Sequence, residues 1–166
     1  MQKILFLLFI FLSNTFIPGT FQTSQQNNVT LKLKIIGVKD GDTVEGLYYQ
    51  FPMNIRLEHI DAPEKRQPFG TKSKEKLSDL CFGKMVTIIS RGKNGNFDSR
   101  GRIIAEIFLE DGTNVNKEML KSGLAWHFKK YSSDAEYARL EELAKSKKLG
   151  LWSDPNSISP WSFRKP

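Results

Sequence analysis

Alternation of apolar and polar residues in short runs, broken by stretches of helical spacing, limits this chain to a small strand-rich core more sharply than any other feature. Over residues 29–38, Leu31, Leu33 and Ile35 fall on one side and Lys32 and Lys34 on the other, the period of a half-buried strand. Asp40-Gly41 is a turn pair. Residues 43–51 resume strand composition until Pro52 interrupts it, and residues 53–60 supply a third strand whose positions 53, 55 and 57 are apolar. Arg56 therefore points away from that stripe. From Gly70 the period changes. Ser73, Leu77, Leu80 and Cys81 are spaced for one side of a helix, Lys72, Lys74 and Lys76 lie outside it, and Gly83 ends it. Residues 85–90 and 103–109 read as two further strands across a polar, glycine-bearing loop at 91–102.

Beyond the Asp111-Gly112 turn, residues 115–121 read as a short helix stopped by Gly123. A last helix is marked by Ser133 and Glu136 as a capping box, with Tyr137, Leu140, Ala144 and Leu151 continuing its apolar face until Gly150. The resulting expectation is an α+β class, a five-stranded Greek-key OB-fold barrel with about three helices packed on it. The domain is placed at residues 29–154 and a C-terminal tail at 155–166, whose Trp161 and Phe163 are expected to pack on the domain. At the other end, Lys3 precedes nine apolar residues, 4–12, followed by Ser, Asn, Thr, Pro and Gly. That layout is a secretory signal, placed at residues 1–24, and the run is too short for a stable membrane span. The expected product is secreted or periplasmic, monomeric, and without stable membrane association once the signal is removed.

Without residues 1–24 the chain keeps 24 basic and 18 acidic residues, a net charge of +6. Such a field attracts polyanions, whether nucleic acid, anionic headgroups or acidic glycans. Cys81 is the single cysteine, so an internal disulfide is excluded, and its place on a helical apolar face makes it a core residue. His59 and His127 lack cysteine partners at metal-ligand spacing, which argues against zinc, and both read as strand or turn residues.

Three segments carry chemistry: Asp40-Gly41-Asp42-Thr43; Arg56-Leu57 running into Asp61-Ala62-Pro63-Glu64; and Asp98-Ser99-Arg100-Gly101-Arg102. Paired carboxylates can hold a divalent cation and handle a water proton, while two guanidinium groups can grip a phosphate and meet the charge that grows on it. That combination suits phosphodiester cleavage. Pro63 stiffens a turn able to aim Asp61 and Glu64 into one pocket. Glu64, beside two arginines, stays ionised and either takes the proton of the attacking water or positions that water. Asp40 reads as a turn residue and Asp98 as the pin of its loop. A noncatalytic nucleic-acid-binding module is the alternative, because barrels of this shape often hold nucleic acid without cutting it.

Taken in order with Phe69-Gly70, Gly123-Leu124-Ala125 and Gly150-Leu151-Trp152, these segments resemble the thermonuclease, or staphylococcal-nuclease-like, family over residues 31–154. The resemblance implies an endonuclease that takes DNA and RNA as substrates, uses calcium, and leaves 3′-phosphate ends. It places metal-binding carboxylates on Asp42 and Asp61, a further carbonyl ligand on Ala62, and catalytic roles on Arg56, Glu64 and Arg102. Tyr131 matches a nucleotide-contacting tyrosine. Arg100 and Lys129 stand where many members carry aromatics, which points to extra phosphate contacts in place of stacking.

Overall fold

The computed structural model describes residues 28–92 and 96–165; the expected signal segment lies outside them. Five strands close a barrel in the order β1 (Val29–Val38), β2 (Thr43–Tyr48), β3 (Phe51–Leu57), β6 (Ile103–Phe108) and β5 (Met85–Ser90). All pairings are antiparallel except β3 with β6, which run parallel. This is the expected α+β OB-fold barrel. Alternation does what the sequence demands of it: Leu33, Ile35, Val44, Ile55, Leu57, Val86, Ile88, Ile103, Ala105 and Ile107 are all buried inside. Each large aliphatic side chain so buried contributes about 1.5–3 kcal/mol relative to exposure.

Helix α1 (Gly70–Cys81) presents Leu77 and Cys81 to this core, and α2 (Val115–Lys121) adds Val115, Met119 and Leu120. Helix α3 (Ala135–Ser146) packs on α2 through the buried Tyr137 and Leu140, and Tyr137 donates its hydroxyl to Glu106 on β6 at 2.6 Å. Cys81 is fully buried, and burial pushes its thiol up to about 12, which keeps it inert.

The departures from the sequence reading have local causes. Pro52 does not interrupt the strand; it lies inside β3 opposite Leu47, and the reversal falls just before it at Tyr49, whose φ is +53°. The third strand stops at Leu57. His59, at φ +69°, turns the chain so that β4 (Ile60–Asp61) leaves the barrel and pairs with β7 (Trp126–His127). Asp134, not Ser133, caps α3, accepting from the backbone N–H groups of Glu136 and Tyr137 at 2.8 and 3.3 Å. That helix ends at Ser146, and Leu151 buries its side chain from a separate 3-10 turn, Gly150–Ser153. A fourth short helix, α4 (Pro160–Phe163), lies in the tail. Its Trp161 stacks on Phe128 with ring centres 5.6 Å apart and meets Trp126 edge-on at 5.7 Å, whereas Phe163 stays largely exposed.

Candidate active site

Barrel register sets the site. Arg56 on β3 lies opposite Thr43 on β2 and beside Ile104 on β6, so the turn bearing Asp42 and the start of β6, just after Arg102, flank it on either side. Because β4 bends away after Leu57, Asp61 returns over the same strand end. The result is a cavity of about 640 Å³ whose walls include Asp42, Arg56, Asp61, Ala62, Glu64, Arg100, Arg102 and Tyr131. Lys129 is not among them; its Nζ lies 3.3 Å from Glu141 Oε2 instead.

Arg56 is a cross-link as well as a cavity residue. Its Nη2 lies 3.1 Å from Asp42 Oδ2 and 3.0 Å from Asp61 Oδ1, while Nη1 donates to the carbonyls of Leu57 and Ile60 at 2.5 and 2.8 Å. Asp42 is further held by the Ala62 N–H at 2.7 Å and the Thr43 hydroxyl at 3.1 Å. Arg102 uses a different support. Nε and Nη2 each lie 2.8 Å from Asp98 Oδ2, and Nη1 donates to Thr43 Oγ1 at 3.0 Å, so the Thr43 hydroxyl, which itself donates to Asp42, joins the second arginine to that carboxylate. Asp98 also accepts the N–H groups of Arg100 and Arg102, the loop-pinning role read from the sequence. Burial opposes ionisation of Asp98, but the Arg102 amide and guanidinium outweigh it and hold its carboxyl below the usual range.

Two glycines permit the close approaches. A Cβ on Gly41 would come within 2.0 Å of Ser73 Oγ and 2.7 Å of Ala62 Cβ, so a bare backbone lets the Asp42 turn nest against α1 and the Asp61 loop. A Cβ on Gly70 would fall 2.0 Å from the Glu64 carbonyl, so the Glu64 turn rests directly on the start of α1.

Like charge is concentrated on one wall. Asp40 Oδ1 accepts the Asp42 N–H at 3.0 Å, as a turn residue should, and burial together with the Asp42 charge pushes Asp40 up to about 6. Burial also raises Asp61, with Asp42 adding to it and the guanidinium partners only partly offsetting both. Crowded carboxylates of this kind suit a hard, oxygen-seeking divalent cation. Among the described residues no three acid, histidine or cysteine side chains converge closely enough to cage an ion unaided. An ion on Asp42 and Asp61 would complete its shell from a backbone carbonyl and water.

Several residues at the cavity carry no signal in the sequence. Phe97, which lines the cavity next to Asp98, is 60 % exposed and with Tyr131, 53 % exposed, offers faces on which a base can stack. Arg164 from the tail reaches Asp61 and Glu64. No motif marks it, and only the basic pair Arg164-Lys165 just after the aromatic Trp161 and Phe163 hinted that the tail carries charge to a docked position. The two histidines take structural places: His59 Nδ1 and His127 Nε2 lie 2.9 and 2.8 Å from the same Ser132 hydroxyl.

Comparison with known proteins agrees with this geometry. The family model described as "Staphylococcal nuclease homologue" matches residues 54–154. A Haemophilus influenzae protein named "Uncharacterized endonuclease" is 41 % identical over 133 residues, covering 80 % of this chain and 72 % of its own length. An Escherichia coli protein of the same name is 37 % identical over 131 residues, 79 % and 83 % of the two chains. A Shigella flexneri "Micrococcal nuclease" is 33 % identical over 138 residues, 80 % and 79 % of the two chains. With a family model matched over more than half of the chain and relatives at this identity over most of their length, the chain belongs to the staphylococcal nuclease homologue family.

Proposed function

We propose that this protein is an exported, calcium-dependent endonuclease that hydrolyses phosphodiester bonds of DNA and RNA and leaves 3′-phosphate ends. The observation that carries the reading is the meeting of two arginines and the acid set, Asp42, Asp61 and Glu64, around one cavity, in a family whose named relatives include nucleases. Export is supported by the apolar run at residues 4–12 after Lys3.

Phosphodiester hydrolysis is slow enough to need on the order of 23 kcal/mol of barrier reduction, more than any one group supplies. Arg56 pairs across from Thr43 on the neighbouring strand and Arg102 donates to the Thr43 hydroxyl, each arginine fixed by carboxylate partners, so their free donors can meet the nonbridging oxygens of a phosphate in the cavity. Charge on those oxygens rises during attack, and donors held in place beforehand stabilise the transition state more than the ground state. Glu64 accepts the proton of the attacking water or orients it. Asp42 and Asp61, with the Ala62 carbonyl, would hold the cation, which when bound supplies positive charge against a phosphate oxygen and lowers the cost of water deprotonation. Exposed Tyr131 and Phe97 stack bases, and Arg100 adds a phosphate contact. Lys129, paired with Glu141, contributes to the positive field rather than to the cavity wall.

Digestion of plasmid DNA and total RNA by the purified chain, with calcium or with EDTA, tests the proposal. Cleavage of both substrates in calcium alone, with ends resistant to extension until a phosphatase is added, is the expected outcome. Equal digestion in EDTA would refute the cation role, and salt-sensitive binding with no cleavage would favour a binding module.

A further inference from the structure

Arg164 enters the cavity from outside the segment matched to the family, ten residues beyond its end at 154. Its guanidinium forks onto Asp61, with Nη2 at 2.6 Å from Oδ2 and Nη1 at 3.3 Å from Oδ1, and the same Nη1 donates to Glu64 Oε1 at 2.6 Å. Arg56 already holds Asp61 Oδ1 at 3.0 Å, so both oxygens of that carboxylate are engaged by arginines. The tail is seated for this purpose. Trp161 stacks on Phe128 and meets Trp126, and Gln67 donates to the Ile158 carbonyl, so α4 is fastened on both sides before Arg164 leaves it. The Arg164 side chain is nevertheless 42 % exposed, against 13 % for Arg56, so it can swing into solvent where Arg56 cannot.

Resting on the reading of Asp42 and Asp61 as cation ligands, we infer that Arg164 is a positioning residue of the active site, a tethered counter-ion that occupies the cation's place on Asp61 and releases Glu64 when the cation displaces it. A divalent ion needs its oxygens at about 2.3–2.6 Å. A guanidinium 2.6 Å from Oδ2 stands where that ion or its water must be, and two positive groups on one buried carboxylate repel at a range where solvent screens them poorly. Displacement has a second effect. The contact Arg164 makes to Glu64 is lost in the same movement, so the glutamate becomes free to accept a proton only in the cation-loaded site. In the cation-free protein Arg164 neutralises the acids, which keeps the Asp61 loop folded against the barrel.

Calorimetric titration with calcium alone, on the full domain with its tail, tests the inference without reference to turnover. Arg164→Ala and Arg164→Gln should bind calcium about ten-fold more tightly than the parent, a difference of about 1.4 kcal/mol. Arg164→Lys, which keeps the charge and loses the fork, should fall between. Trp161→Ala, which loosens the tail without touching the acids, should shift affinity in the same direction. Melting curves add a second readout: Arg164→Ala should melt lower than the parent in EDTA and gain more from calcium, whereas a merely structural residue would lower both curves alike. Unchanged or weaker calcium binding in the Arg164 variants, with the parent binding normally, overturns the counter-ion role and leaves the cation site standing. Failure of the parent and every variant to bind calcium removes the cation site and this inference together.

Discussion

Replacing Arg102 by lysine separates the chemical from the structural value of the guanidinium. Arg102 places two nitrogens on Asp98 Oδ2, both at 2.8 Å, and a third on Thr43 Oγ1 at 3.0 Å. A lysine ammonium can keep one of these directions, not all, because its donors radiate from a single nitrogen. Lysine keeps the charge beside Asp98 and one of the contacts, so the lost pairing costs the fold about 1 kcal/mol, a melting shift of about 4 °C for a domain of this size. Turnover answers to a different quantity. If Arg102 supplies a preorganised donor to the charge developing on phosphate, its removal lowers kcat by about 100–1000-fold, or about 2.7–4 kcal/mol. The check is initial-rate cleavage of a fluorophore-quencher oligonucleotide in calcium, with circular dichroism melts on the same samples. KM should stay within about three-fold, since a group acting in the transition state shows in kcat. A variant that keeps more than a tenth of parental kcat, or whose whole loss is in KM, would refute the assignment of Arg102 to the transition state.

Other outcomes follow from the same contacts. Arg56→Met leaves Asp42 and Asp61 facing each other without their bridge, so urea unfolding at pH 7 should report a loss of about 3 kcal/mol, partly recovered by calcium. Gly41→Ala must displace Ser73 or Ala62 and should cost about 1–3 kcal/mol while separating Asp42 from Asp61; combining it with Ser73→Gly should restore calcium binding more than stability, since glycine weakens α1. Burial lowers the pKa of His127 below its usual 6.5, aided by Lys129 and opposed by Glu141. The unfolded chain therefore binds a proton that the fold refuses, and stability present above pH 6.5 is lost as pH falls. His127→Gln, keeping a partner for Ser132, should flatten that part of a urea-midpoint profile between pH 7.5 and 5; an unchanged slope would place its origin in other groups.

Barrel strands were legible because their alternation is strict: Leu33, Ile35, Ile55 and Leu57 could face only one way once the period was read. The placement of Arg56 outside the barrel followed from that same parity. Less visible were features set by contacts distant in sequence. The turn at His59 follows from no strong local signal, since a histidine at φ +69° is held there by the pairing of β4 with β7. The cap of α3 fell one residue later than the capping-box pattern because the neighbouring Ser132 hydroxyl is committed to both histidines, which fixes how the chain enters the helix. In the site, types and spacing pointed to Arg56, Arg102 and the acids, but the sequence could not tell that Thr43 links two of them or that Arg164 arrives from 100 residues beyond Glu64. Lys129 illustrates the converse: basic composition cannot show that a buried glutamate, Glu141, will hold the charge elsewhere.

The one parallel pairing of the barrel, β3 with β6, has a consequence for how catalytic competence arises during folding. Arg56 and Arg102 sit on segments joined only by the long route through α1 and β5, and no hairpin can align them ahead of the rest. Their meeting waits on a pairing of residues far apart in sequence, Ile55 with Ile103, the kind that forms late because its loop-closure entropy must be met first. A nascent or half-assembled chain thus holds its acids and its first arginine yet lacks the opposing guanidinium, and cutting power switches on as an all-or-none property of the closed barrel.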